Sequence, residues 1–145
     1  MKILLCFAML STFAFSDAVN AQTKLEVRLA EEQPATGLVE ASVSHSNKKV
    51  YLHETAIVTN ADVADARVVP ARGTAFDVAV SFTPQGAAKM ADATQGHVGR
   101  PLAILINGTV VMAPIVRDPV RQDALLTGDW TREQADEIAA GLTGK

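Results

Sequence analysis

The sequence predicts an α+β fold: a small mixed or antiparallel sheet with two to three short helices packed on one face. Three observations lead there. Phe76, Val78, Val80 and Phe82 alternate with Asp77, Ala79 and Ser81, the period of a strand with one buried face. Thr83-Pro84 follows at once with the start signal of a helix, and Thr131 with Gln134 opens a second helix near the C-terminal end. The chain of 145 residues is 48% apolar and 20% charged, which suits one globular domain and excludes a multidomain enzyme. A net charge of −3 and a pI near 5.5, with no run of Lys or Arg, argue against nucleic acid or an anionic membrane as partner.

Met1, Lys2 and the uncharged run from Ile3 to Ser16 predict a signal peptide, because about 14 apolar or small residues are too few for a span of roughly 20. Val19-Asn20-Ala21 puts small residues at −3 and −1 of a cleavage site, where the peptidase pocket admits only small side chains. Ser16-Asp17-Ala18 is a weaker second site. Cleavage after Ala21 leaves 124 of the 145 residues and removes Lys2 and Asp17, so the charge stays at −3. It also removes Cys6, the only cysteine, which rules out a disulfide framework in the mature chain. Cys6 lacks a lipoprotein-box context and no later apolar stretch approaches 18 residues, so the expectation is a periplasmic or secreted protein without membrane insertion.

Leu25, Val27 and Leu29 alternate with Glu26 and Arg28 and predict a first strand over 24–30. Gln33-Pro34-Ala35-Thr36-Gly37 and the Ser/Asn/Lys-rich stretch up to Lys49 predict a mobile loop or an edge hairpin. Val50 to His53 reads as a short strand, and Thr59-Asn60-Ala61-Asp62 as the cap of a short helix over 61–66. After the strand ending at Phe82, Thr83 is the N-cap and Pro84 sits at N1, where its missing N–H costs nothing. The helix then runs over Gln85 to Gly96 with Ala87, Ala88, Met90, Ala91 and Thr94 on one side and Lys89, Asp92 and Gln95 opposite. Small side chains on the inner face imply a close approach to a sheet.

Leu102 to Ile106 is apolar without alternation, the pattern of a central strand covered on both faces. Asn107-Gly108 tolerates positive φ and predicts a two-residue hairpin into Thr109 to Val116, where Pro114 marks a bulge or an edge. Asn107-Gly108-Thr109 is also a glycosylation sequon, but the turn explains it. Ala135, Ile138, Ala139 and Leu142 fall at i, i+3, i+4 and i+7 behind the Thr131/Gln134 box, with Trp130 packing at the helix entrance.

Catalytic chemistry is not visible. His45 lies between two serines in the polar loop, His53-Glu54 ends a strand, and His97 follows a helix whose negative end an imidazolium would cap. No Gly-x-Ser-x-Gly occurs, no histidines are spaced i, i+3 or i+4, and no calcium-loop pattern exists, so no catalytic, metal or cofactor site is expected. The carboxylates Asp62/Asp65 and Glu133/Asp136/Glu137 read as solvated faces. Gly96 and Gly99 lead into a strand rather than a helix and so do not form a phosphate loop.

The ordered motifs Phe82-Thr83-Pro84-Gln85-Gly86, Val98-Gly99-Arg100-Pro101-Leu102, Asn107-Gly108-Thr109 through Pro114, and Thr127-Gly128-Asp129-Trp130-Thr131, with Leu52-His53-Glu54 upstream, resemble the head subdomain of the first periplasmic domain of SecD/SecDF translocase subunits. The similarity covers roughly residues 50–142. It implies a mixed α+β module of the Sec machinery that contacts translocating or newly exported polypeptide. The chain divides accordingly into a signal peptide (1–21), an N-terminal strand and flexible loop (22–49) and a SecD-head-like domain (50–145).

Two departures stand out: the family's Asp-Gly-Lys at the hairpin is Asn107-Gly108-Thr109, and its glycine-rich turn is Arg121-Gln122-Asp123-Ala124. The family's transmembrane helices, with their proton-relay carboxylate, have no counterpart. The reading is a non-catalytic binding module for polypeptide or an envelope protein, including the Sec machinery, that contacts it at the edge carrying Pro114 or at loop 33–49. The alternatives are a scaffold unrelated to export or a small hydrolase using His53. Phe82, Thr83, Pro84, Gly86, Gly99, Asn107, Gly108, Pro114 and Gly128 are expected to serve the fold.

Overall fold

The structure is a computed structural model that describes residues 22–144; the predicted leader and Cys6 lie outside the described residues. The strands are β1 (Leu25–Glu31), β2 (Val39–Ser42), β3 (Lys49–Thr59), β4 (Val63–Pro70), β5 (Phe76–Phe82), β6 (Leu102–Ile106), β7 (Thr109–Met112) and β8 (Asp123–Trp130). The helices are α1 (Pro84–Gln95) and α2 (Arg132–Thr143). Two antiparallel sheets form, β2-β3-β1-β6-β7 and β4-β5-β8.

β1 is the middle strand of the larger sheet because its alternation fits both neighbours: it pairs Val27 with Val58 on one side and with Ile104 on the other. The five residues of β6 are all buried, and the two faces account for it. Leu102, Ile104 and Ile106 point into the main core with Leu25, Val27 and Val58; Ala103 and Leu105 meet Ala30, Val43, Val50, Leu52 and Val110 behind the sheet.

That second cluster is enclosed because the sheet curls. Val43, just past β2, forms a parallel bridge to Val110 of β7, and the Ser44 N–H donates to the Val110 carbonyl at 2.8 Å. The two outer strands are thereby joined, and part of the edge on which foreign strands pair is occupied.

The three-stranded sheet turns Val78, Val80, Phe82 and Leu126 into the main core, where Met90 of α1 and Ala135, Ala139 and Leu142 of α2 complete it. Each such buried side chain contributes about 1.5–3 kcal/mol, so the apolar face of this sheet is stabilised through the shared core. Thr83 caps α1, accepting from the Gly86 N–H at 3.0 Å, with Pro84 at the first helical position. Thr131 and Gln134 close a reciprocal box at the start of α2. The inner face of α1 is Gly86, Met90 and Thr94, with Ala88 exposed.

The structure corrects four expectations. Residues 61–66 are not a helix: a 3-10 turn over Asn60–Asp62 gives way to β4. The Asp62 carboxylate turns back to the Thr59 N–H at 3.1 Å and to Lys89 at 2.9 Å, and the β-branched residues beyond it pair with β5, Val68 opposite Val78. Cross-strand burial overrides a cap that closes only one turn. The strand expected at 50–53 extends over 11 residues, β8 is a strand where the sequence suggested only a departure from the family turn, and one sheet is two.

Candidate functional site

An apolar slot of about 180 Å³ lies between the two sheets. Val27 and Ile104 form one wall, Val80, Phe82 and Leu126 the other, and Met90 of α1 the floor. Met112 and Pro114 of the hairpin's second arm, with Ala124 and Leu125 of β8, form the mouth. Leu125 contributes its backbone there: it alternates with the core-facing Ala124 and Leu126, and its 49% exposed side chain lies on the other face of β8. The volume is near that of dry apolar cavities that accept a benzene-sized group.

The motif residues build this slot. Phe82 is 7% exposed and lines it, while Thr83 and Pro84 fix where α1 begins and so where Met90 lands. Gly86 lets α1 close on the 3-10 turn: a Cβ would lie 2.8 Å from both the Cβ and the carbonyl oxygen of Asp62. Asn107 and Gly108 both have positive φ, +51° and +82°, in the tight hairpin turn. Asn107 also accepts from the Lys24 N–H at 2.8 Å, which ties the turn to the start of β1. The Pro114 carbonyl accepts from the Leu102 N–H at 2.9 Å, continuing the pairing past the formal end of β7. Gly128 lies under the Trp130 indole, leaving no space for a side chain.

Gly99, with φ +85°, belongs to a second feature, an open cleft of about 540 Å³ beneath the arch of residues 32–38, where charged side chains stand among Pro34, Ala35, Leu38 and Pro101. His53 Nε2 and Arg100 Nη1 both reach one oxygen of Glu31, at 3.0 and 3.1 Å. Burial pushes the Glu31 carboxyl up, but the hydrogen bonds from His53 and Arg100 outweigh it and hold the group below its ordinary range. His97 is 3% exposed, and its ring does not cap α1, although its backbone N–H donates to the Thr94 carbonyl at 3.0 Å. Its Nε2–H reaches the carbonyls of Ala30 at 2.8 Å and Pro101 at 3.2 Å, stapling the α1–β6 loop to the end of β1. His53 lies within β3, bonded to Glu31 rather than paired with Glu54, and His45 takes a positive φ in the β2–β3 turn.

The sequence singled out the hairpin arm and Phe82 but not Leu125 or Leu126, and Ala124 only as part of a departure from the family turn, because β8 itself was not expected. Among the described residues, no three His, Cys, Asp or Glu side chains are grouped to hold a metal ion, and no helix is long and apolar enough to cross a membrane.

The family described as the SecDF P1 head subdomain matches residues 36–144. A protein translocase subunit SecDF of Thermus thermophilus is 38% identical over 87 residues, which cover 59% of this chain and 12% of that protein. A subunit SecD of Rhodobacter capsulatus is 34% identical over 89 residues, 61% of this chain and 16% of that one. This chain therefore spans a small fraction of the relatives it matches. A solved structure of SecDF, described as a membrane component that enhances protein export, superposes with a TM-score of 0.67 at 26% identity, over 84% of this chain and 62% of that one. SecDF in its super-membrane-facing form gives 0.68 at 27% identity, over 84% and 19%.

Proposed function

Since the chain belongs to the SecDF P1 head-subdomain family, we propose that it serves protein export as a non-catalytic binding module on the outer side of the membrane, taking up exported polypeptide in extended form. The observation that carries this reading is the apolar slot at the seam of the two sheets. A folded partner presents few large apolar side chains to such a slot, whereas an unfolded chain presents them continually. The mouth lies between Pro114 and Leu125, so an extended segment has backbone beside it on β8, an outer strand of its sheet. This supports the edge near Pro114 as the contact surface. The predicted leader supports the location.

Titration of isotope-labelled 22–145 with unfolded peptides tests the proposal. Resonance changes clustered at Phe82, Met112, Leu125 and Leu126 are expected for peptides carrying Leu or Phe, and none for an all-polar peptide of equal length. Absence of shifts at millimolar peptide overturns it.

A further inference from the structure

The hydrogen-bonded fold begins one residue after the predicted cleavage bond. Asn60 receives the Leu25 N–H at 2.7 Å and donates to the Thr23 carbonyl at 2.6 Å, while Asn107 exchanges bonds with both backbone groups of Lys24 at 2.8 and 2.9 Å. Thr23 is 8% exposed and lies against the last turn of α2: a Cβ at Gly141 would meet the Thr23 backbone nitrogen at 2.8 Å. The Gln22 side-chain nitrogen Nε2 comes within 3.9 Å of where a Cβ of Gly144, the left-handed cap of α2, would stand, and the residue 22 backbone precedes the Thr23 nitrogen packed on Gly141.

Residue 22 thus sits at the negative end of a 12-residue helix whose first turn carries Glu133 and whose last turn has no basic side chain. We infer that processing after Ala21 creates an α-ammonium group at residue 22 that caps the C-terminal end of α2, so that removal of the leader completes the fold.

The inference rests on the export reading. Of the charges nearby, Lys24 pairs with Glu26 at 2.7 Å on β1 and Asp62 of the 3-10 turn with Lys89, while Glu137, one turn before Gly141 on the same face of α2, adds its negative charge to that of the helix end. The last turn of α2 contributes none. A free α-amine has a pKa of about 7.7–8.0, and the helix end raises it. The stability it adds is therefore full below about pH 7.7 and lost as pH rises through the folded value.

An N-terminal glutamine also cyclises, its α-nitrogen attacking the side-chain Cδ and expelling ammonia, which leaves a neutral ring. The test therefore uses 22–145 with Gln22→Ala, once with a free amine and once N-acetylated, alongside a free-amine chain that retains residues 19–21. Lys145 is common to all three. In low salt at pH 6.5 the free-amine chain should melt about 1–5 °C above the acetylated one, and the gap should close at pH 10. The extended chain should behave like the acetylated one. Equal melting of all three at pH 6.5 overturns the inference. Intact mass of the protein from the cell envelope checks the reading beneath it: a chain starting at Gln22 or its cyclised form supports it, and a retained leader overturns both.

Discussion

Replacing Gly86 by alanine adds one methyl group where α1 meets the 3-10 turn. On an open helical surface the change stabilises by about 0.8–1 kcal/mol, because glycine gives up more backbone freedom on folding. Here the new Cβ would lie 2.8 Å from the Asp62 carbonyl oxygen and 3.3 Å from the Phe82 Cβ. The nearest obstacle is backbone, so α1 or the turn must give way. Overpacking of this kind costs about 1–3 kcal/mol. Moving Asp62 also loosens its bonds to Thr59 and Lys89, worth about 1 kcal/mol for one of them.

The opposing effects leave a net loss of about 1–3 kcal/mol. Gly96, at the other end of the same helix, is the control, since a Cβ there meets nothing within 4 Å and its φ of −87° suits alanine. Gly96→Ala is therefore expected to be neutral or to stabilise by up to about 1 kcal/mol. Urea unfolding of the two variants of 22–145 should show the midpoint falling for Gly86→Ala and holding or rising for Gly96→Ala, with unchanged slopes. A Gly86→Ala variant as stable as the parent would show that contact with the 3-10 turn does not select glycine.

Leu126, 1% exposed and shared by core and slot, should cost about 2–5 kcal/mol when replaced by alanine, read from the same urea curves. Pro114→Asp, at the mouth, should lower peptide affinity at least about tenfold in fluorescence anisotropy; unchanged affinity would move the binding surface elsewhere. Glu31 titrates below its ordinary value when folded, so its contribution is present above about pH 4.5 and lost as pH falls through the folded value. Glu31→Gln should accordingly flatten the decline in melting temperature between pH 5.5 and 3.5, and a variant with the parent's full decline would refute that assignment.

What the sequence made legible is what one local pattern decides. Strict alternation placed β1 and β5, Asn107-Gly108 placed the hairpin, and paired cap and small-residue signals placed both helices. β4 escaped because a bulge between Val63 and Asp65 shifts its register, so its apolar residues do not alternate cleanly, and because Asp62 carries a helix-start signal that ends after one turn. β8 escaped for a similar reason: its ladder to β5 shifts near Phe76 and only Leu126 is fully buried.

The slot was beyond any local pattern. Val27, Phe82, Met112 and Leu126 come together only once two sheets face each other, and no spacing among them announces it. His97 shows the converse, since position after a helix suggested capping while the nearby ends of β1 and β6 offered it better acceptors.

The pairing of Leu25 with Ile106 sets a schedule for folding. β1 emerges first, yet one of its two partner strands is supplied about 80 residues later. Its Leu25 and Val27 therefore remain unburied until the second half of the chain arrives. In the export proposed above, a chain delivered N-terminus first stays threadable for most of its passage, and the larger sheet assembles only when the segment through Val110 has cleared and Val43 can close upon it.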